Sequence, residues 1–357
     1  MSAQSPQIAL EGMRRYDFAK ACLYLRSELN YRPEIEAVCV LGVFDGVHRG
    51  HQSLIKAACQ DARRRKLPCI VVSFCPDPAD VVFEPQSLSH LLRQEDRLAL
   101  LASCGVDGIL CLDFTFELAT TSWQDFLSCT FWAYLRPHSL HVGQNFHFGC
   151  GGKGGIPELK RLAPELGFEL FDHELMRIAD VVVSATHIRE LLRQGQVEQA
   201  GNLLGRQHFV RGTVQHGRGE GNSFGFPTAN VQLDRMDCVP AQGVYAGWVV
   251  MDCSAWPAAI NVGLPPSFND GDTPSFLEAN LIGFTGDLYG ADLAVSFASW
   301  LRASRKFDSL DELEQTVLDN IDWVKNHLAA KRIELARGGI YNLKVLERKL
   351  WRGGLHD

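Results

Sequence analysis

The sequence lacks the marks of several broad protein classes. Its formal net charge is −7 at pH 7, so it has no surplus of the basic side chains that general nucleic-acid binding requires. No apolar run approaches the roughly 20 residues that cross a bilayer. The stretch from Met1 to Arg15 has no apolar core of a secretory signal. We therefore expect a cytoplasmic protein without nucleic-acid or membrane partners. Weak association into a homo-oligomer is an open alternative.

Cysteine pairs of the C-x-x-C type are also absent. The chain has 11 cysteines, an odd number, and Cys39, Cys69 and Cys111 lie within apolar, strand-like runs. Neither a disulfide framework nor a structural zinc site has this pattern. The cysteines are therefore predicted to be reduced and mostly buried.

From Ala37 onward the sequence alternates between strand and helix patterns. The predicted strands are 37–43, 69–74, 108–112 and 139–142, and the predicted helices are 52–65, 94–104 and 122–135. This alternation predicts an α/β N-terminal domain with a doubly wound parallel sheet. The preceding segment, Tyr16 to Leu29, is interpreted as a helix.

The turn between the first strand and the first helix carries candidate chemistry. In an open α/β sheet, ligands bind at the carboxyl ends of strands, and helix N-termini attract phosphate. Two histidines three residues apart at such a turn suggest contacts to a nucleotide phosphate. The alternative is a polar turn with incidental histidines. The candidate residues are Gly42, Phe44, Asp45, Gly46, His48 and His51.

Two later segments are further phosphate-binding candidates. A glycine-rich loop that contains Asn145 follows the strand 139–142, and glycines let backbone N–H groups approach phosphates closely. A surface loop without a ligand is the alternative. Ser184 and Thr186 begin a helix in which Arg189 lies one turn further on. Helix capping alone would explain the two hydroxyl residues.

The character of the sequence changes near residues 200–207. Short strand patterns separated by glycine and proline turns predict a small antiparallel β-barrel. A terminal helix is predicted to begin at Ser309, with a capping box to Glu312. The basic residues from about Lys331 onward are interpreted as a terminal extension.

Several motifs, in order, resemble those of the bacterial bifunctional FAD synthetases, the riboflavin kinase/FMN adenylyltransferase family. The resemblance covers roughly residues 36–330. It implies a nucleotidyltransferase-like domain over 1–204, a riboflavin kinase barrel with its helix over 205–330, and an extension over 331–357. The matching segments are 42–51, 143–149, 184–192, 225–230, 261–263, 277–278, 287–290, 301–302 and 306–307.

The resemblance implies two ATP-dependent transfers. Riboflavin is phosphorylated to FMN in the barrel, and FMN is adenylylated to FAD, with release of pyrophosphate, in the first domain. His48 and His51 would act on the ATP phosphates in the adenylylation. The other residues implied to bind ATP there are Gly42, Phe44, Asp45, Gly46, Asn145, Ser184, Thr186 and Arg189.

In the kinase reaction the resemblance makes Glu278 the base that accepts the proton of the ribityl hydroxyl. Thr228 and Asn230 would offer oxygen ligands to Mg²⁺ and the ATP phosphates, since Mg²⁺ prefers hard oxygen ligands. Gly225 and Pro227 complete the implied ATP-binding motif.

Three departures from the family pattern could impair an activity. Asp77 stands between Pro76 and Pro78 where the family has a histidine, Ala185 replaces a serine, and Asn222 replaces an arginine or lysine. A carboxylate at position 77 would repel a triphosphate. Two alternative functions therefore stay open: a riboflavin kinase with a weakened or lost adenylyltransferase, and a flavin-binding regulator without turnover.

Overall fold

The strands of the first half form one sheet. The computed structural model describes residues 12–32, 34, 36–83, 89–216, 228–263, 276–335 and 339–341. The strands of this sheet are β1 (Met13–Phe18), β2 (Ala21–Arg26), β3 (Glu36–Leu41), β4 (Cys69–Cys75), β5 (Gly108–Asp113), β6 (Arg136–Gly143) and β7 (Glu169–His173). Their order is β1-β2-β5-β4-β3-β6-β7. The neighbours from β5 to β7 are parallel, which confirms the predicted α/β domain.

The helix predicted from Tyr16 to Leu29 is wrong. This segment contributes to a β-hairpin in which β1 pairs antiparallel with β2, and β2 pairs antiparallel with β5. The physical reason is a two-residue period, because Ala21, Leu23 and Leu25 are all at most 3% exposed while the residues between them are half-buried. Alternate side chains of a strand share one face, so this pattern buries one side of β2.

Helices connect the parallel strands and cover the sheet. They are α1 (Arg49–Arg65), α2 (Pro78–Val82), α3 (Gln94–Ser103), α4 (Phe116–Thr120), α5 (Trp123–Asp125) and α6 (Ile156–Leu166). The helix predicted to run from Ser122 to about Leu135 is shorter, since α5 passes into a π-helical turn over Phe126–Phe131. Leu140 and Val142 of β6 lie in the same buried cluster as Leu159 of α6, so α6 packs on this face.

One pair of cysteines differs from the predicted reduced state. Cys75, at the end of β4, and Cys111, in β5, form a disulfide with their Cα atoms 5.8 Å apart. The two strands are parallel neighbours, and their register brings the two side chains together. Cys39 and Cys69 are free and buried, as predicted.

The second half forms the predicted antiparallel barrel. After a short antiparallel pair, β8 (Arg177–Ile178) and β9 (Val181–Val182), come two helices, α7 (Ala185–Arg193) and α8 (Val197–Leu204). The barrel strands are β10 (His208–Gln215), β11 (Ala229–Gln232), β12 (Gly243–Met251), β13 (Ser254–Gly263), β14 (Phe276–Leu281) and β15 (Asp292–Arg302). They pair in the order β12-β15-β10-β11-β14-β13, and a β12–β13 pairing closes the ring.

The described part of the chain after the barrel packs against the barrel. The terminal helix α9 (Leu310–His327) is capped by Ser309 as predicted, since its hydroxyl accepts from the Glu312 N–H at 3.2 Å. The Glu312 carboxylate accepts from the Asp308 N–H at 3.1 Å and not from the Ser309 N–H that the predicted capping box requires. The strand β16 (Ile333–Glu334) then pairs antiparallel with β13. Further on, Arg211 of β10 donates to the Tyr341 hydroxyl at 2.7 Å. The described part of the extension therefore belongs to the folded barrel.

Contacts divide the chain into two compact units. The first comprises Met1–Leu88 and Arg93–Val183, and the second comprises Ser89–Leu92 and Ser184–Asp357. The sequence-based boundary at residue 204 stays a prediction. Among the described residues, we find no helix whose length and apolar content would let it cross a membrane.

Candidate active sites

The segment Gly42–His51 has the predicted strand–turn–helix form. β3 ends at Leu41, and the Gly42 N–H still bonds to the Val72 carbonyl at 3.1 Å. Phe44 has a left-handed backbone with φ 62°, an uncommon conformation for a residue with a side chain. A Cβ at Gly42 would come to 3.0 Å from the Phe44 ring, a tighter contact than nearly all Cβ atoms make, so the close approach of this ring favours glycine. The turn therefore holds Phe44 in a fixed place at the carboxyl edge of the sheet.

His48 and His51 lie together at the start of α1. Their rings are stacked with centroids 3.5 Å apart, and the His48 Nδ1 caps the helix by accepting from the His51 backbone N–H at 3.3 Å. An accepting Nδ1 assigns the proton of a neutral His48 to Nε2. Burial, then the neighbouring His48 and Arg97, hold the pKa of His51 well below its usual range. His51 is therefore a neutral imidazole at pH 7.

Asp77 follows β4, the neighbour of β3, and is engaged on both carboxylate oxygens. Its Oδ1 caps α2 by accepting from the Ala79 N–H at 3.0 Å, and its Oδ2 accepts from Arg97 Nη1 at 2.9 Å. The sequence predicted a carboxylate that repels a triphosphate. It did not predict the cation beside it, because Arg97 lies twenty residues further along in an ordinary helix pattern.

The glycine-rich loop is braced by backbone hydrogen bonds. The Gln144 N–H donates to the His173 carbonyl at 2.9 Å, and Phe148 and Gly154 exchange two hydrogen bonds. The Asn145 side chain is exposed, and its Oδ1 lies 3.1 Å from where a Cβ of residue 143 would stand. Asn145 is therefore accessible at the end of β6, on the same edge of the sheet as the histidines.

The third predicted phosphate segment lies in the second compact unit. Ser184 caps α7 by accepting from the His187 N–H at 3.3 Å, and Ala185 and Thr186 form its first turn. Arg189 is 4% exposed and donates from Nε to the Ser89 carbonyl at 2.6 Å. The capping interpretation of Ser184 is confirmed. The phosphate role of the segment stays a prediction.

The barrel brings three polar residues into one row. Asn230 on β11 lies directly opposite Glu278 on β14, and Glu278 lies directly opposite Asn261 on β13. All three side chains are half-buried, whereas Leu277 and Ala279 on either side of Glu278 are fully buried in the core. Thr228 immediately precedes β11 and is half-buried. Gly225, Pro227 and Asn222 lie outside the described residues.

Three exposed apolar side chains were missed by the sequence analysis. Val82 and Phe83 at the end of α2 are 54% and 61% exposed, and Phe116 of α4 is 73% exposed. The helices α2 and α4 follow the neighbouring strands β4 and β5 and pack against each other. The signal was present, because apolar residues directly after strand ends fall at the edge where ligands bind.

Comparison with known proteins matches both halves separately. The family model of FAD synthetase matches residues 32–187, and the family model of riboflavin kinase matches residues 204–328.

Relatives that match over most of their length carry both names. The bifunctional riboflavin kinase/FMN adenylyltransferase of Escherichia coli K12 is 34% identical over 81% of this chain and 92% of its own. The proteins of the same name from Pseudomonas fluorescens and Bacillus subtilis are 36% and 31% identical over similar shares. A crystal structure described as a macrolide-efflux protein from Streptococcus pneumoniae has a TM-score of 0.75 at 30% identity. The match covers 85% of this chain and 97% of that one.

Proposed function

The chain belongs to the family of bifunctional riboflavin kinase/FMN adenylyltransferases, and from this premise we propose which of its residues carry the two reactions. It is a transferase that phosphorylates riboflavin to FMN and adenylylates FMN to FAD, with ATP as co-substrate of both steps. The observation that carries this conclusion is the match of both family models to one chain, together with relatives of the bifunctional name that match over about nine-tenths of their length.

In the adenylylation, an oxygen of the FMN phosphate attacks the α-phosphorus of ATP, and the bond to the pyrophosphate leaving group breaks. We propose that His48 and His51 hydrogen-bond the phosphate oxygens on which charge develops. Two features support this role. The neutral His51 retains an N–H to donate, and the N-terminus of α1 adds a positive dipole.

Other residues of the same reaction are proposed as binding groups. Asn145 would hold a phosphate or the nucleotide, and its exposure at the carboxyl edge supports this. Ser184, Thr186 and Arg189 would bind the phosphate tail of ATP. The flat aromatic isoalloxazine ring of FMN would lie with one face on the exposed patch of Val82, Phe83 and Phe116, which offers the aromatic surface that a flat ring system prefers.

In the kinase reaction, Glu278 would accept the proton of the ribityl hydroxyl as the hydroxyl oxygen attacks the γ-phosphorus of ATP and the bond to the ADP leaving group breaks. The position of Glu278 between Asn230 and Asn261 supports this role, because amide groups on both sides can orient a carboxylate without adding charge. The remaining motif residues proposed to bind this ATP are Gly225 and Pro227.

The kinase residues also fit a Mg²⁺ ion. Thr228 offers a hydroxyl and Asn230 an amide oxygen, both half-buried on one side of the barrel, and these are hard ligands of the kind that Mg²⁺ takes alongside phosphate oxygens and water. When bound, the ion would neutralise charge on the transferred phosphoryl group. We also propose, as expected from the sequence, a cytoplasmic location without nucleic-acid or membrane partners.

The test is chromatography of the flavin products formed from riboflavin, ATP and Mg²⁺. The wild-type protein is expected to yield both FMN and FAD. His51→Ala should stop at FMN, and Glu278→Ala should make FAD only when FMN is supplied. Accumulation of FMN alone by the wild type would establish a kinase without adenylyltransferase, and unchanged riboflavin would indicate a flavin-binding regulator.

A further inference from the structure

A buried ion pair fixes the chain that follows β4. Arg97 of α3 donates from Nη1 to Asp77 Oδ2 at 2.9 Å and from Nη2 to the Phe74 carbonyl at 2.7 Å. The Arg97 and Asp77 side chains are only 4% and 11% exposed. One guanidinium group therefore binds both the C-terminal end of β4 and Asp77, the residue that caps α2.

This pair lies at the same edge as the histidine turn. β4 and β3 are parallel neighbours, and the Ser73 hydroxyl donates to the Val43 carbonyl at 3.1 Å, so the ends of the two strands are joined. The charge of Arg97 also reaches the His51 ring, where it helps to hold the pKa of His51 low. Arg97 and the histidine turn therefore act on one another electrostatically.

The partnership matters because of the charges that adenylylation brings together. The FMN phosphate and the ATP triphosphate are both anions, and a bare carboxylate at the same edge would repel them at short range in a medium of low dielectric. A buried charge without its partner is also costly to the fold, so Asp77 depends on Arg97 for both reasons.

We infer that Arg97 is a positioning residue of the adenylyl-transfer site. By pairing with Asp77 it cancels the carboxylate charge and holds the turn after β4, so that the phosphates meet no net negative charge there. The inference rests on the proposed function of the histidine turn. Arg97 acts through Asp77, and no contact of Arg97 with substrate is required.

The experiment separates charge from folding with a second substitution. Arg97→Gln is expected to lower kcat/KM for ATP in FAD formation from FMN about tenfold, chiefly through KM. Adding Asp77→Asn to that variant should restore kcat/KM to within about threefold of wild type, because the two changes are coupled. Asparagine still caps α2, and no buried carboxylate is left unpaired.

Two controls accompany these variants. Arg26→Gln breaks the ion pair with Asp107, which precedes β5 at the opposite edge of the sheet, and should leave FAD formation unchanged. Riboflavin phosphorylation, measured on every preparation, should stay at the wild-type rate if the protein is folded. The dissociation constant of FAD, followed by flavin fluorescence, should rise in Arg97→Gln and return in the double variant.

The outcomes are distinct. An equal loss of kcat/KM in the single and double variants would assign Arg97 a purely structural role and overturn the inference. An Arg97→Gln variant with the kcat/KM of the wild type would also overturn it. If the wild type makes no FAD, the proposed function fails. The FAD-binding series then still decides the inference: weaker binding in Arg97→Gln with recovery in the double variant supports it, and any other pattern overturns it.

Discussion

Asn230 and Glu278 lie directly opposite each other on two antiparallel strands of the barrel. Residues so paired have Cβ atoms about 5 Å apart, which is within reach of a shared substrate or ion. Both come from motifs that are far apart in the chain, and the register of β11 and β14 is what makes them neighbours. The proposed base and a proposed Mg²⁺ ligand therefore lie on one face of the barrel.

Glu278→Gln is expected to lower the rate of riboflavin phosphorylation by about 10²–10⁴-fold, the usual contribution of a general base. The amide has nearly the shape of the carboxylate but cannot accept the proton. FAD formation from supplied FMN should be unchanged, as measured by product chromatography. The matched control is Glu334→Gln on β16 of the same sheet, an exposed carboxylate, and an equal loss in this control would contradict the assignment.

Asn230→Ala should raise the Mg²⁺ concentration needed for half-maximal kinase activity by about tenfold, because one hard oxygen ligand is lost. Titrating the kinase rate with MgCl₂ at saturating ATP and riboflavin measures this. Asn280→Ala, on the same strand face as Glu278 but beyond the row, serves as control. An unchanged Mg²⁺ requirement in Asn230→Ala would remove Asn230 from the proposed ligands.

Phe116→Ser should raise KM for FMN in the adenylylation by about tenfold, because stacking on an aromatic ring contributes on the order of 1 kcal/mol or more. The value of kcat should change little, since the ribityl chain separates the flavin ring of FMN from its reacting phosphate. Leu310→Ser is the control, because Leu310 is a similarly exposed apolar side chain at the start of α9. A KM for FMN that stays at the wild-type value would show that the flavin ring binds elsewhere.

His208 should make the free energy of unfolding decrease as the pH falls below about 6.5. Burial lowers the pKa of His208 to about 4, and the charge of Arg206 acts in the same direction. The unfolded chain binds the proton near pH 6.5 and the folded chain does not, so stability is full above pH 6.5 and is lost as the pH falls toward 4. The whole loss from this group is roughly 3 kcal/mol.

His208→Gln should flatten this pH dependence because glutamine does not bind a proton in this pH range. Glutamine can still donate to the Cys238 carbonyl, as His208 Nε2 does at 2.7 Å. Urea unfolding at several pH values between 4 and 7 measures it. Other buried histidines such as His141 keep part of the slope. His327→Gln on the exposed face of α9 should leave the curve as it is, and a slope that does not respond to His208→Gln would refute the assignment.

The parts of the fold that were predictable depend on local signals. The turn glycines after β3, the cap at Ser184 and the cap at Ser309 each act within a few residues, and the structure confirms all three elements. The hairpin of β1 and β2 carried an equally local signal in its alternating apolar residues. It was misread because the mixed charges around it resemble a helix surface.

The parts that were not predictable depend on contacts between distant segments. The row around Glu278 exists because three strands share one register, which no spacing in the sequence reveals. In the sequence, Arg97 resembles any solvated helix arginine. In the structure, α3 places it against Phe74 and Asp77. The disulfide of Cys75 likewise depends on the alignment of two strands. Sequence patterns indicate which residues can be reactive, and the packing of distant segments against each other decides which of these residues are in contact.

The four residues Ser89–Leu92 have a practical consequence for dividing this enzyme. They lie between two stretches of the first unit but count with the second, where the His90 N–H bonds to the Met236 carbonyl and the Ser89 carbonyl receives Arg189. Cutting the gene at one position therefore cannot separate the two units cleanly. A first half produced alone would carry Ser89–Leu92 without the residues that they contact. A second half produced alone would need Ser89–Leu92 supplied as a peptide.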